Sequence, residues 1–413
     1  MSTSIQPTTD AAQPLQLKIL SPRFWPYSGN NELALCDLAQ TLAQHGHEIE
    51  VVSPGWSTAS PASFRFRNFD VQRIFRSASA PWGGFRYQKN LLRYLNQTSI
   101  DGLIFFNAYS DFSNLAKVFA GQIPLIVRLH DHSLASLSGQ TTVKNRQVNS
   151  LKLADRIFVE TENTLQMLQS AGLPKSKLRL VAEGILPFEP PPVELASQTV
   201  ARQAIGESHG MLQVSPNQPL LICGAPLNGD KGMLDLVQAW KFVLRETPTA
   251  KLWIISQGTR SRKVWDAIVS KQMVNSIIIP GQFDSFADVF CAADAYLHPL
   301  RGSTVCSMLT RAMMANLCPI VTEPIAAALG LTDGLQANFS PAGKPEELAN
   351  VILKTIRNPI QRTQVGVAAS NWAFHRFHSS RTIKPYLDEF ISDNPTLSNS
   401  TSQSGNRTEP KLP

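Results

Sequence analysis

No apolar run in the sequence approaches the roughly 18 residues that a membrane helix needs, so no membrane span is expected. There is no Cys-x-x-Cys pair, and the five cysteines, Cys36, Cys223, Cys291, Cys306 and Cys318, are odd in number. That argues against a disulfide framework and a structural zinc site, and for a reducing, cytoplasmic setting. Four of the five stand in apolar runs, where a thiol packs as a small hydrophobe. The opening stretch Met1–Gln16 lacks the basic-then-apolar order of a secretory leader, so none is expected there. An Asp-x-Asp pair, which would suggest a cation on a diphosphate, is absent, and so is any short-period repeat. Excess charge is also scarce. Lys plus Arg is 38 and Asp plus Glu 31, a net +7 over 413 residues. That is weak support for a nucleic-acid binder and suits an acidic ligand or a membrane surface.

What the chain does have is core-forming material. The apolar fraction is 43% and the charged fraction 17%, which excludes wholesale disorder. At about 150 residues per domain, the length predicts two or three domains. Short apolar runs at Leu17–Leu20, Glu48–Val52, Gly102–Phe106, Pro124–Arg128 and Ile157–Val159 read as strands. Helical spacing over Glu32–His45 and Thr161–Ala171 separates some of them. A cluster of prolines, Pro187, Pro190, Pro191 and Pro192, opens a polar stretch that runs to Pro219 and reads as a linker. The alternation then restarts with strands at Leu220–Cys223, Lys251–Ile255, Ser276–Pro280, Ala295–Pro299 and Pro319–Thr322. Helices are predicted from about Thr304 to Ala315, over Pro345–Arg357 and Gln361–Trp372, and from about Arg381 to Ser392. Strands alternating with helices predict an α/β protein of two doubly wound, Rossmann-like domains facing a cleft. Ligands of such sheets bind at the carboxyl ends of strands.

Several loops sit at such ends. Gly29-Asn30-Asn31 leads into the first helix, whose N-terminal N–H groups can face an anion. Cys223 to Gly232 follows a strand and looks at first like a phosphate loop. Asp230 displaces the lysine to Lys231, and Gly232 stands where a magnesium-binding Ser or Thr belongs, so that reading fails. Lys231, the glycines and a helix N-terminus still make a plausible diphosphate cradle. In His298-Pro299-Leu300-Arg301-Gly302-Ser303-Thr304-Val305, Arg301 can face an anion and Ser303 or Thr304 can cap the next helix. Arg311 lies about two turns further, near the same face as Ser303. His130, in His130-Asp131-His132, can orient a substrate. Neither that pair nor His45-Gly46-His47 has a third ligand at suitable spacing, so no metal site is expected.

Taken in order, these pieces resemble retaining glycosyltransferases of family 4, over roughly Leu17 to Ile391. The matching segments are Leu38 to Ile49, Ala154 to Val159 with Glu162 and Thr164, Lys231-Gly232 with Leu236 and Ala239, Ala292 to Ala295 with His298-Pro299, Ala312-Met313, Pro319 to Val321, and Phe377 to Tyr386. The resemblance implies the GT-B fold, no cofactor, and a nucleotide-diphosphate sugar as co-substrate. It divides the chain into a disordered tail (1–15), an acceptor domain (16–186), a hinge (187–218), a donor domain (219–375), a helix crossing back to the first domain (376–392) and a second disordered tail (393–413). Where the family carries two donor-site glutamates, this chain has Ser303 and Arg311. Ala225 replaces the family's phosphate-binding arginine, while Lys231 is kept.

The implied mechanism has Lys231, helped by Arg301 or Arg311, neutralise the leaving diphosphate. Backbone N–H groups at Gly29 and near Thr304 and Val305 complete the clamp, and His130 contacts the sugar. The expected acceptor is a glycan, a lipid-linked compound or a small molecule. Peripheral membrane contact is compatible with this reading, though Lys89, Arg93, Lys144 and Arg146 read first as a solvated face. The rival expectation is a non-catalytic GT-B protein that binds or assembles with a partner.

Overall fold

The computed structural model describes residues 13–26, 29–57, 61–77, 82–107, 112–130, 148–186, 195–225, 227, 232–255, 262–280, 283, 286–303 and 305–392. Residues 1–12 and 393–413 of the expected tails lie outside these, as do Lys144 and Arg146. The chain forms two compact units, one made of residues 1–25, 35–182 and 380–413, the other of 26–34 and 183–379.

The first unit contains β1 (Gln16–Leu20), β2 (Glu48–Gly55), β3 (Ser63–Phe66), β4 (Phe69–Phe75), β5 (Gly102–Phe106), β6 (Leu125–Arg128), β7 (Arg156–Val159) and β8 (Leu178–Leu180). They form one sheet in the order β3-β4-β2-β1-β5-β6-β7-β8. All neighbours run parallel except the β3–β4 hairpin. Every residue of β5 and β6 is buried, as expected of a parallel strand covered on both faces. The hairpin was not foreseen from the sequence, because Arg65, Asp70 and Arg73 break the apolar run that marks the central strands.

The second unit contains β9 (Leu220–Cys223), β10 (Lys251–Ile254), β11 (Ile277–Ile278), β12 (Ala295–His298), β13 (Cys318–Thr322) and β14 (Asn338–Ser340). These form a wholly parallel sheet in the order β11-β10-β9-β12-β13-β14. Its core surrounds the fully buried Trp240 and Trp253. The fold class read from the sequence is therefore the observed one.

Aspartates explain two of the sequence motifs. Asp155 Oδ2 accepts from Leu125 N at 2.8 Å, and Asp294 Oδ2 accepts from Leu220 N at 2.8 Å. Asp101 does the same for Gln16 N at 2.7 Å. Each carboxylate satisfies the first N–H of a neighbouring strand, at the edge of the sheet away from the loops of interest. The Ala-Asp pairs before β7 and β12 are thus devices of sheet assembly.

The stretch 187–218 expected to be a linker needs correcting. It contains a helix, Leu195–Ser208, packed in the second unit. Arg202 on this helix is 3% exposed and binds Asp294 at 2.9 Å and the carbonyls of Ala292, Ser215, Pro216 and Gln218. A buried arginine inside a polar segment gives no apolar period, which is why composition suggested a linker. A single helix, Pro359–Phe377, replaces the shorter one predicted there.

The last helix, Lys384–Ser392, belongs to the first unit. Tyr386 meets Phe158 edge-on at 4.7 Å, and Arg156 Nε donates to Glu389 Oε1 at 2.8 Å. Phe390 is fully buried in the space that Gly102 leaves, where a Cβ would collide with its ring.

Candidate functional site

In the first sheet the crossovers change direction between β1 and β5, and the carboxyl ends of β5 and β6 lie beside that switch. His130 stands two residues beyond β6 and is 4% exposed. Its Nδ1 is 2.5 Å from Glu160 Oε1, so the hydrogen-bond network assigns the ring proton to Nδ1. Glu160 follows β7 and precedes the helix Glu162–Ser170, which Thr161 caps through the N–H of Thr164. The same carboxylate oxygen accepts from Arg128 Nη2 at 3.1 Å, while Arg128 Nη1 donates to Val181 O at 2.6 Å. Asn107, beyond β5, has φ +70 and accepts from His130 N at 3.3 Å through Oδ1. The Phe106 ring packs on the imidazole at 4.8 Å. One histidine is thus oriented by a carboxylate, a buried arginine and an aromatic ring. Sequence reading found His130 and missed Glu160, Arg128 and Asn107, which lie at the ends of β7, β6 and β5 and share no sequence pattern. The adjoining Asp131 and His132 lie outside the described residues. In the other His-x-His pair, His45 Nδ1 bonds Thr41 O and His47 Nδ1 accepts from Leu15 N, so both serve the turn.

In the second sheet the switch falls between β9 and β12, which pair directly with Cys223 opposite Leu297. The loops after Cys223 and His298 therefore leave the sheet side by side. Each leads into a helix, Gly232–Glu246 and Ser307–Met314, whose first N–H groups have no partner within the helix. Gly224 lets these loops come together. A Cβ there would lie 2.7 Å from Tyr296 Oη and 3.0 Å from Met308 Cβ.

A buried thiol joins the loops. Cys306 Sγ lies 3.6 Å from His298 Nδ1, 3.7 Å from Gly224 O and 3.9 Å from Tyr296 Oη. Burial pushes the Cys306 thiol up, but the charge and hydrogen bond of His298 outweigh it and leave the thiol below its ordinary range. Burial raises its neighbours, Cys223 to about 12 and Tyr296 well above the usual phenol.

The predicted donor residues part company here. Gly232 is buried as the first residue of its helix, and Gly29 directly precedes the helix Asn30–Gln44. Asn30 begins that helix. Ser303 is exposed and Val305 half-buried, but the helix starts only at Ser307 with Cys306 as N-cap, so Ser303 does not cap it. Lys231 and Thr304 lie outside the described residues. Arg301, expected to face an anion, is paired with a carboxylate. It forms a two-pronged pair with Asp235, Nε to Oδ2 and Nη2 to Oδ1, both at 2.7 Å. Asp235 sits in the first turn of its helix, where a carboxylate is favoured. Arg311 is only 2% exposed, within a helix whose eight residues are all buried, whereas Ser303 is exposed.

Two Rossmann-like units of this kind define the GT-B class of α/β protein. Residues 32–186 match the family model described as Glycosyltransferase Family 4, and residues 218–358 match that described as Glycosyl transferases group 1. The two matches fall one on each Rossmann-like unit. No curated protein matches the sequence. Among solved structures, HepE from Anabaena in complex with UDP and glucose is similar with a TM-score of 0.70 at 15% identity, over 92% of this chain and 100% of that one. Sucrose-phosphate synthase from Thermosynechococcus elongatus gives 0.68 at 14%, again over 92% and 100%. The catalytic domain of starch synthase IV from Arabidopsis thaliana, bound to ADP and acarbose, gives 0.63 at 10% identity, over 94% and 100%. At these identities the likeness establishes the fold. Among the described residues, no helix is long and apolar enough to cross a membrane.

Proposed function

We propose that the protein is a glycosyltransferase that moves a sugar from a nucleotide-diphosphate donor to a glycan, lipid-linked or small-molecule acceptor, with retention. The observation that carries this reading is the pair of glycosyltransferase matches, one to each Rossmann-like half. The helix starting at Gly232 and Lys231 beside it would neutralise the diphosphate. His130, oriented by Glu160, would contact the sugar. No metal and no further cofactor enter this scheme. Because HepE was solved with UDP-glucose, UDP-sugars are the first donors to try.

One observation favours the second reading, a GT-B protein that binds without transferring. Arg301 is neutralised by Asp235, and Arg311 is buried where the family carries an acid. Calorimetric titration with UDP-, GDP- and ADP-sugars separates the two, followed by proton NMR of any transferred sugar to read its anomeric configuration. Absence of binding at millimolar donor by folded protein would remove the enzyme reading. Lys231→Ala should weaken a bound donor by about 1.5–3 kcal/mol, the scale of a charge-assisted hydrogen bond.

A further inference from the structure

The helix Gly83–Asn96 has a buried face formed by Tyr87, Leu91 and Leu95. Its other face bears Phe85, Arg86, Lys89 and Arg93, all exposed, with no acidic residue anywhere in the helix. No ion pair among the described residues includes any of those three cations. Large rings crowd the N-terminal end. Trp82 is 70% exposed and Phe85 67%, and nearby strand ends add Phe75 at 50% and Trp56 at 44%. These are held together. Gly83 packs against the backbone of Ser77, just past the end of β4. The Arg76 guanidinium lies 5.2 Å from the Trp56 ring and 5.3 Å from the Tyr87 ring, linking the end of β2 to the helix.

We propose that this patch docks the protein on an anionic phospholipid surface. Four exposed rings flanked by three cations match the layering of a lipid interface, where amphipathic rings sit at headgroup depth and cations meet phosphates. A soluble acidic partner would use the cations but gives no role to the exposed apolar area. A neutral apolar partner would give no role to the acid-free basic face. Trp56 follows the carboxyl end of β2, Phe75 ends β4, and His130 follows the carboxyl end of β6, so in this parallel sheet the patch and the histidine share one edge. Docking there brings lipid to the edge that carries His130. The inference stands on the patch alone and does not depend on sugar transfer.

The test is flotation of the full chain with vesicles of phosphatidylcholine alone and with about 30% phosphatidylglycerol. Binding should require the anionic lipid and weaken between about 50 and 500 mM salt. Brominated lipids should quench tryptophan emission, and less so in Trp82→Phe. Arg86→Gln with Lys89→Gln and Arg93→Gln should lower partitioning on the order of 100-fold. Trp82→Ser with Phe85→Ser should lower it about tenfold or more. Circular dichroism checks that the variants fold, and quenching of the unaltered chain reads insertion without any variant. Equal binding to both vesicles, no quenching, unaffected binding by folded variants, or binding to heparin without binding to vesicles would each overturn the proposal.

Discussion

Arg301 and Asp235 meet through two hydrogen bonds of 2.7 Å, joining the loop after β12 to the first turn of the helix that begins at Gly232. The arginine is 41% exposed at its side chain, so the pair is worth about 1 kcal/mol. A double-mutant cycle with Arg301→Ala and Asp235→Ala, read by urea unfolding, should return a coupling of that order. Arg301→Lys should keep the charge and lose most of the coupling, because an ammonium lacks the planar fork. Zero coupling would mean that the pair does not join these two segments.

Glu160 holds His130 and Arg128 with one oxygen, and this arrangement separates two kinds of effect. His130→Ala should lower transfer by roughly 100-fold or more and cost about 1–3 kcal/mol of stability, because a buried, hydrogen-bonded ring is removed. Glu160→Ala should do both. It removes the orienting carboxylate and the acidic partner of a buried guanidinium, at a cost of about 3 kcal/mol. Glu160→Gln should recover much of the stability, since an amide oxygen can still accept from Arg128. It should not recover the activity, since the charge facing the imidazole is gone. Initial rates with the best donor, set beside thermal melting, read the two separately. Equal loss of rate and stability in Glu160→Gln would make Glu160 purely structural.

The two-sheet architecture could be read from the sequence because parallel strands are buried on both faces and so appear as short apolar runs at β5, β6, β9 and β12. The helix around Arg202 could not, because its anchoring contacts are polar and reach residues up to 92 positions away. The site divides the same way. His130 and Gly232 stand where a strand ends or a helix begins, and both positions are visible locally. Asp235 and Glu160 act on partners 66 and about 30 positions away, at spacings that only the folded sheet defines. The pairing of Arg301 with Asp235 was not legible for that reason. The partner lies on another helix, and charge alone gives no hint of it.

Stability should fall in alkali. Burial raises Cys223 and Cys318 to about 12, against an ordinary thiol near 9. Their folded values lie above the unfolded ones. Each therefore contributes stability that is fully present below about pH 9 and is lost as pH rises towards about 12. At about pH 10.5 the loss is on the order of 2 kcal/mol per thiol. Urea midpoints at about pH 8 and pH 10.5 should separate clearly, and replacing both cysteines by Ala should narrow the gap relative to that variant's own value at pH 8. An unchanged gap would assign the alkaline loss to other groups.

Gly224 and Gly302 offer a paired test of how the second unit's loops are built. At Gly224 an added methyl meets Tyr296 Oη at 2.7 Å and Met308 Cβ at 3.0 Å. Both neighbours are core residues, 0% and 2% exposed, so neither can yield without disturbing the packing behind it. Gly224→Ala should cost about 1–3 kcal/mol, the usual scale of overpacking. At Gly302 nothing lies within 4 Å of the added atom, and the residue is exposed. Gly302→Ala should stay within about 0.5 kcal/mol of the parent. The two substitutions add the same methyl to the loops after β9 and β12. A difference in unfolding free energy of that size would trace to the contact of Gly224 with Tyr296 and the helix Ser307–Met314. If Gly224→Ala proved as stable as Gly302→Ala, the close approach of those loops would not exist in solution.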